Sequence, residues 1–132
     1  MNTADIDVVK KLYSGINQND IDSVMKLLAE NIVRVEPDDF PVAGTFKGHS
    51  ELREHLIKGR STWAEGSCTP VEFSQHQNRI VALVHVHVRI KDETKWIDAY
   101  IADGFSLENG KITEFHSFTS KEKALHWAAA AL

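Results

Sequence analysis

Apolar residues recur at helical spacing near the start of the chain. Val9, Leu12 and Ile16 share one face of a segment from about Thr3 to Asn17, with Thr3 placed to cap it and Asn19 and Asp20 to break it. Asp20 can cap a second helix in which Ile21, Val24, Leu27 and Leu28 form the stripe, ending near Glu30. The spacing then changes. "NIVRVEP" at 31–37 reads as a strand stopped by Pro37, which has no N–H to give a ladder. A short extended piece spans Gly44 to Gly48, and Gly48 or Ser50 opens a third helix that carries Leu52, His55 and Leu56 on one face and stops at Gly59. A loop is expected through Trp63, Gly66 and Pro70.

Beyond that loop the period becomes two. Strands are predicted at about 71–77, 79–90, 95–107 and 111–119, joined by short polar turns, with "ENGK" at 108–111 the clearest hairpin signal. In "IVALVHVHVRI" Ile80, Ala82, Val84, Val86, Val88 and Ile90 share one face, while Val81, Leu83, His85, His87 and Arg89 share the other. The aliphatic face should lie under the helices. An alanine-rich tail from Lys121 to Leu132, with Leu125, Ala128 and Leu132 in register beside Trp127, predicts a last short helix docked on its own sheet or on a second subunit. Helices first and an antiparallel meander after them define an α+β fold in which helices cover one face of a curved sheet.

The totals narrow the function classes. A chain of 132 residues is the size of one domain, residues 1–132 without an internal linker or repeat. Its net charge of −4 and its few, dispersed lysines exclude the basic face that a nucleic acid would need. No run is long enough to span a bilayer, and "MNTADIDVVKK" is no secretory signal, so a cytoplasmic location is expected and a membrane partner is not. A single cysteine, Cys68, excludes an internal disulfide and reads as a loop or strand-edge thiol.

Candidate chemistry gathers at the end of the first strand. In "VEPDDFPVAG" Glu36 precedes Pro37, with Asp38, Asp39 and Phe40 following. Glu36 is either a solvated strand-end carboxylate or an acid delivered to an apolar cavity, where desolvation would raise its basicity. Asp38 and Asp39 have the composition of a turn, and Asp39 could also line an entrance beside Phe40. Asp103 alternates onto the face of Ile101, Phe105 and Leu107, unless a bulge at Gly104 turns it to water. His55 is a pocket imidazole or a histidine on the helix rim. Phe46, Trp63, Trp96, Phe105, Phe115 and Phe118 read as core or interface aromatics.

The order and spacing of "NDIDSVMKLLAENIVRVEP", "GHSELREHL" and "DGFSLENGKITEFHSF" resemble the NTF2-like superfamily, and within it the SnoaL-like and ketosteroid-isomerase-like branch. The resemblance covers nearly the whole chain. It implies a cone-shaped, strongly curved, mixed or antiparallel sheet wrapped around three N-terminal helices, an apolar pocket inside, and homodimerisation through the sheet's outer face. In the isomerase branch a carboxylate before a proline is the general base, and its position falls on Glu36; a protonated aspartic acid that steadies the oxyanion falls on Asp103. The branch's tyrosine on the first helix falls on Leu12, with Tyr13 one residue further along.

The pocket so implied is lined by Tyr13, Asp39, Phe40, His55, Trp63, Val86, Val88, Ile101, Phe115 and Ser117, with Phe115, Ser117 and Thr119 facing inward and His116 and Phe118 outward. His85 and His87 point the same way from one strand, and His116 could add a third metal ligand. By the resemblance, however, that side is the subunit-contacting one, and no metal is expected. The first functional expectation is cofactor-free acid–base chemistry, of isomerase, cyclase or hydrolase type, on a small hydrophobic molecule with a carbonyl or epoxide-like centre. The second is a module of the same fold that binds a small ligand, or dimerises, without turnover.

Overall fold

The computed structural model describes residues 3–40 and 42–130. The first helix, α1, runs Thr3–Asn17, and the α2 turn Ile21–Met25 follows it; Asp20 caps α2 by accepting the Ser23 amide at 3.2 Å. Thr3 is the first helical residue rather than its cap. The second helix is shorter than the apolar stripe suggests, because Leu28 already pairs with Ile112 and opens strand β1, Leu28–Glu36. Strand β2 is Gly44–Lys47, and helix α3 is Gly48–Arg60.

The expected loop through Trp63, Gly66 and Pro70 is instead the first half of β3, Trp63–His76, paired antiparallel with β4, Arg79–Ile90. Its punctuating residues sit at register shifts between Trp63 and Glu65 and between Pro70 and Glu72, on the edge of the sheet, where bulges absorb them. Gly66 has φ +122°, and a Cβ there would lie 2.2 Å from the His87 carbonyl oxygen, so the position requires glycine. Strand β5, Ile97–Glu108, and strand β6, Lys111–Phe118, form the hairpin expected at "ENGK", with positive φ at Asn109 and Gly110.

The curved sheet has the order β2-β1-β6-β5-β4-β3 and does not close; β1 runs parallel to β6 and every other pair is antiparallel. Its concave face holds the main core: Val9 and Leu12 of α1, Val24 of α2, Leu52 of α3, Ile32 of β1, Ile80, Ala82 and Val84 of β4, and Phe105 and Phe115 of the closing hairpin. Helix α4, Lys121–Ala129, answers the docking question. It lies on the opposite face of its own sheet, burying Ala124 and Ala128 against Val81 and Ala102, with Trp127 against Phe118. Leu125, expected in the buried register, is exposed, and Leu132 lies outside the described residues. No helix of the described residues is long and apolar enough to cross a membrane.

Candidate functional site

Strand alternation sends Ile32, Arg34 and Glu36 of β1 toward the concave side, so a guanidinium enters the core. Arg34 is buried with its planar group 3.9 Å above the Phe115 ring. Its Nη1 donates to the carbonyls of Val35 at 2.9 Å and Phe115 at 3.2 Å, and its Nη2 donates to Ser117 Oγ at 2.9 Å and lies 3.2 Å from Glu36 Oε1. Nε of Arg34 is buried without a partner among the described residues.

From Arg34 a polar chain runs both ways. On one side Ser117 Oγ donates to Asp103 Oδ1 at 2.6 Å, and the Tyr13 hydroxyl donates to Asp103 Oδ2. On the other, Glu36 Oε2 lies 2.6 Å from His55 Nε2, whose ring stacks on Phe46 with centroids 3.8 Å apart. Six side chains from α1, β5, β6, β1 and α3 are thereby linked, with one guanidinium serving two carboxylates. Such a network holds together where buried charges are paired and hydrogen-bonded.

Burial sets the electrostatics. Asp103 has its pKa raised by loss of solvent, against the pull of Arg34 and of the Ser117 and Tyr13 hydrogen bonds. Tyr13 is pushed well above 10.0, first by burial and then by the Asp103 charge and the bond to it. Arg34 is lowered by burial, opposed by Glu36 and Asp103. Cys68 is pushed up to about 12, chiefly by burial, with Asp103 adding to the rise and Arg60 opposing it.

Asp103 lies inside, in a regular register opposite Ala82 and Ser117; the strand's irregularity falls between Ser106 and Leu107, not at Gly104. Tyr13, one residue past the position the resemblance singles out, reaches Asp103, while Leu12 packs in the core. His55 bonds a carboxylate rather than backbone. Glu36 meets a guanidinium and an imidazole instead of apolar walls, and its side chain is 15% exposed, against 7% for Arg34 and for His55, so the chain reaches the outside at this carboxylate.

Around that opening strand ends converge. The C-termini of β1, β4 and β6 and the N-termini of β3 and β5 lie at one end of the sheet. Val86 and Ile101 are half-buried there against the core, and Val88 is buried. Trp63 is half-buried beneath the Arg60 guanidinium, 4.5 Å away, and Arg60 also donates to the Ile16 and Asn17 carbonyls at the end of α1. Phe40 is half-buried in a turn closed on the Pro37 carbonyl, and Asp39 is exposed beside it. Two surface clefts, of about 620 and 380 Å³, contain none of these residues; they lie along the Leu28–Val33 part of β1 and the Glu108–Glu114 hairpin.

Sequence reasoning missed Arg34. The signal was present, because a basic residue two places from both Ile32 and Glu36 shares their inward face. His116 points outward as expected, against Trp127 at 4.9 Å and Glu114 at 3.5 Å, far along the sheet from His85 and His87.

A half-open α+β cone with a buried acid–base chain at one end defines the class. A family model described as a SnoaL-like domain matches residues 9–115, and the chain belongs to that family. A search of the curated proteins finds no match. Among solved structures, that of TerC co-crystallized with polyporic acid is similar with a TM-score of 0.78 at 18% identity, covering 97% of this chain and 99% of that one. An NTF2-like protein of unknown function from Burkholderia pseudomallei also gives 0.78, at 22% identity over 96% and 98% of the two chains. A protein with a ketosteroid isomerase-like fold from Catenulispora acidiphila, in complex with trimethylamine, gives 0.76 at 11% identity over 94% and 93%. At such identities the likeness establishes the fold.

Proposed function

We propose that this protein is a cofactor-independent acid–base catalyst acting on a small hydrophobic molecule with a carbonyl or epoxide-like centre. Glu36, steadied by Arg34 and His55, takes a proton from the substrate at the mouth of the cone. Asp103 with Tyr13 supplies the hydrogen bond that meets the oxygen on which charge develops. The observation that carries this reading is the pair of carboxylates joined through one buried guanidinium, one enclosed and the other at the strand end where the chain reaches solvent. Val86, Ile101, Trp63 and Phe40 supply apolar surface for the rest of the molecule. The polyporic acid in the TerC structure, a ligand of that protein, is in keeping with a fold that accepts small organic molecules.

The test is deuterium exchange next to the carbonyl, followed by NMR over a panel of cyclic ketones, enones and diketones. Wild type should exchange at least one of them, Glu36→Gln should lose about 100-fold or more, as expected for removal of a positioned general base, and His55→Ala should lose less. Full activity in Glu36→Gln would remove the base assignment.

A second reading is a ligand-binding module without turnover, favoured by the fact that Tyr13 and Ser117 already satisfy both Asp103 oxygens. Crystals soaked with the same panel separate the two. A ligand out of hydrogen-bond reach of both Glu36 and Asp103 supports binding alone. Under either reading we propose a homodimer through the outer sheet face, where Trp96 and Tyr100 are exposed; light scattering showing monomer at low micromolar concentration would exclude it.

A further inference from the structure

On the side of the sheet away from the buried chain, His85 and His87 of β4 face Tyr100 and Asp98 of β5 in direct register. His85 Nε2 lies 2.5 Å from Asp98 Oδ1, and His87 Nδ1 lies 3.9 Å from the same oxygen. All three ligand atoms fall within 4.8 Å of one another. We propose that His85, His87 and Asp98 form a binding site for a divalent transition ion of the zinc type, with its remaining position on the outer side of the sheet, where the homodimer proposed above would meet it.

The distances bracket what such an ion needs. Bonds of about 2.0–2.2 Å at tetrahedral angles place neighbouring ligand atoms about 3.3–3.5 Å apart. The His85 contact must open by less than an ångström, about the difference between a shared proton and a shared metal, and the His87 contact must close by a similar amount. Both are side-chain movements at the surface, where the side chains of His85, His87 and Asp98 are 33%, 47% and 63% exposed. The strand supplies the rigidity, since residues two apart project the same way and Asp98 is the cross-strand neighbour of His87.

Each imidazole is also braced. His85 stacks on Tyr100 with centroids 4.9 Å apart, and His87 on Trp96 at 4.4 Å, so little rotamer freedom is left to lose on binding. The nearest basic side chain on this face of β4, Arg89, is engaged by Glu65 at 2.8 Å. Two nitrogens and one oxygen favour a borderline ion over Mg²⁺ or Ca²⁺, which select all-oxygen sites.

The experiment is isothermal titration of the metal-stripped protein with ZnCl₂ alone. One Zn²⁺ per chain is expected, with no saturable Mg²⁺ binding; Asp98→Asn should weaken Zn²⁺ at least about 10-fold and His85→Asn/His87→Asn should abolish it. Tryptophan emission should change on addition of Zn²⁺, because Trp96 stacks on His87. Co²⁺ should give the visible absorption of a four-coordinate ion. No saturable Zn²⁺ binding by the folded wild-type protein, or binding that persists undiminished in the double variant, overturns the site. Because His87 and Asp98 are exposed and His85 is only half-buried, circular dichroism should report an unchanged fold in each variant.

Discussion

Tyr13 donates its hydroxyl hydrogen to Asp103 across 90 residues of sequence, inside the concave face of the sheet. The acceptor is an enclosed carboxylate whose other oxygen is taken by Ser117, so the tyrosine is both a cross-link between α1 and β5 and the group that completes the acid's solvation. The bond decides how this protein answers alkali.

Tyr13 ionises in the folded chain only well above its ordinary 10.0, so its contribution to stability is fully present below pH 10.0 and is lost as pH rises toward the folded value. Urea midpoints of the wild type should therefore fall with pH above 10.0 more steeply than those of Tyr13→Phe. At pH 7 the Phe variant should be less stable by about 1–3 kcal/mol, because a buried acceptor loses its donor. Equal alkaline slopes in the two proteins would mean that another group governs the transition.

Arg34 is the hub on which Glu36 and Asp103 both depend. Arg34→Met keeps the packing on Phe115 but leaves two carboxylates without their counter-charge, and denaturant unfolding should show a loss of about 3–5 kcal/mol. Adding Glu36→Gln should recover part of that loss, a non-additivity expected of groups in one network. Unchanged stability in Arg34→Met would show that water reaches these acids.

Gly104 sets how closely α4 approaches the sheet. A Cβ at this position would lie 2.4 and 2.7 Å from atoms of the Trp127 ring and 3.2 Å from Phe118. Gly104→Ala should cost about 1–3 kcal/mol as the helix is displaced, and Trp127 fluorescence should shift to the red. A variant with wild-type emission and stability would mean that α4 contributes little to holding the sheet.

Parts of this structure were legible along the chain because local periodicity and tertiary role agree. Val9 and Leu12 mark α1 by spacing alone and are fully buried, and the alternation in β4 assigns its two faces correctly. Residues 63–70 look like a loop because Gly66 and Pro70 signal a turn locally, whereas β4 needs a partner along its whole length; a bulge absorbs Pro70, and Gly66 pairs in register with Val88. The second helix was read too long because Leu27 and Leu28 fit a helical stripe, yet pairing with β6 takes Leu28 into the sheet. Glu36, Asp103, Tyr13 and His55 were readable as candidates, but not their linkage, since a hydrogen bond across 90 residues leaves no local trace. Asp98 beside His85 and His87 depends in the same way on the β4–β5 register.

The parallel pairing of β1 with β6 brings together stretches from opposite ends of the sequence; Arg34 and Phe115 meet across 81 residues. During synthesis on the ribosome, therefore, a charged guanidinium waits in water until almost the last strand has emerged. The early helices can form while this happens, but the ionic centre cannot assemble before its final backbone wall arrives. A truncated product ending before Phe115 would expose both the unpaired cation and the apolar groove meant to receive it, which makes incomplete chains natural clients for chaperones and proteases.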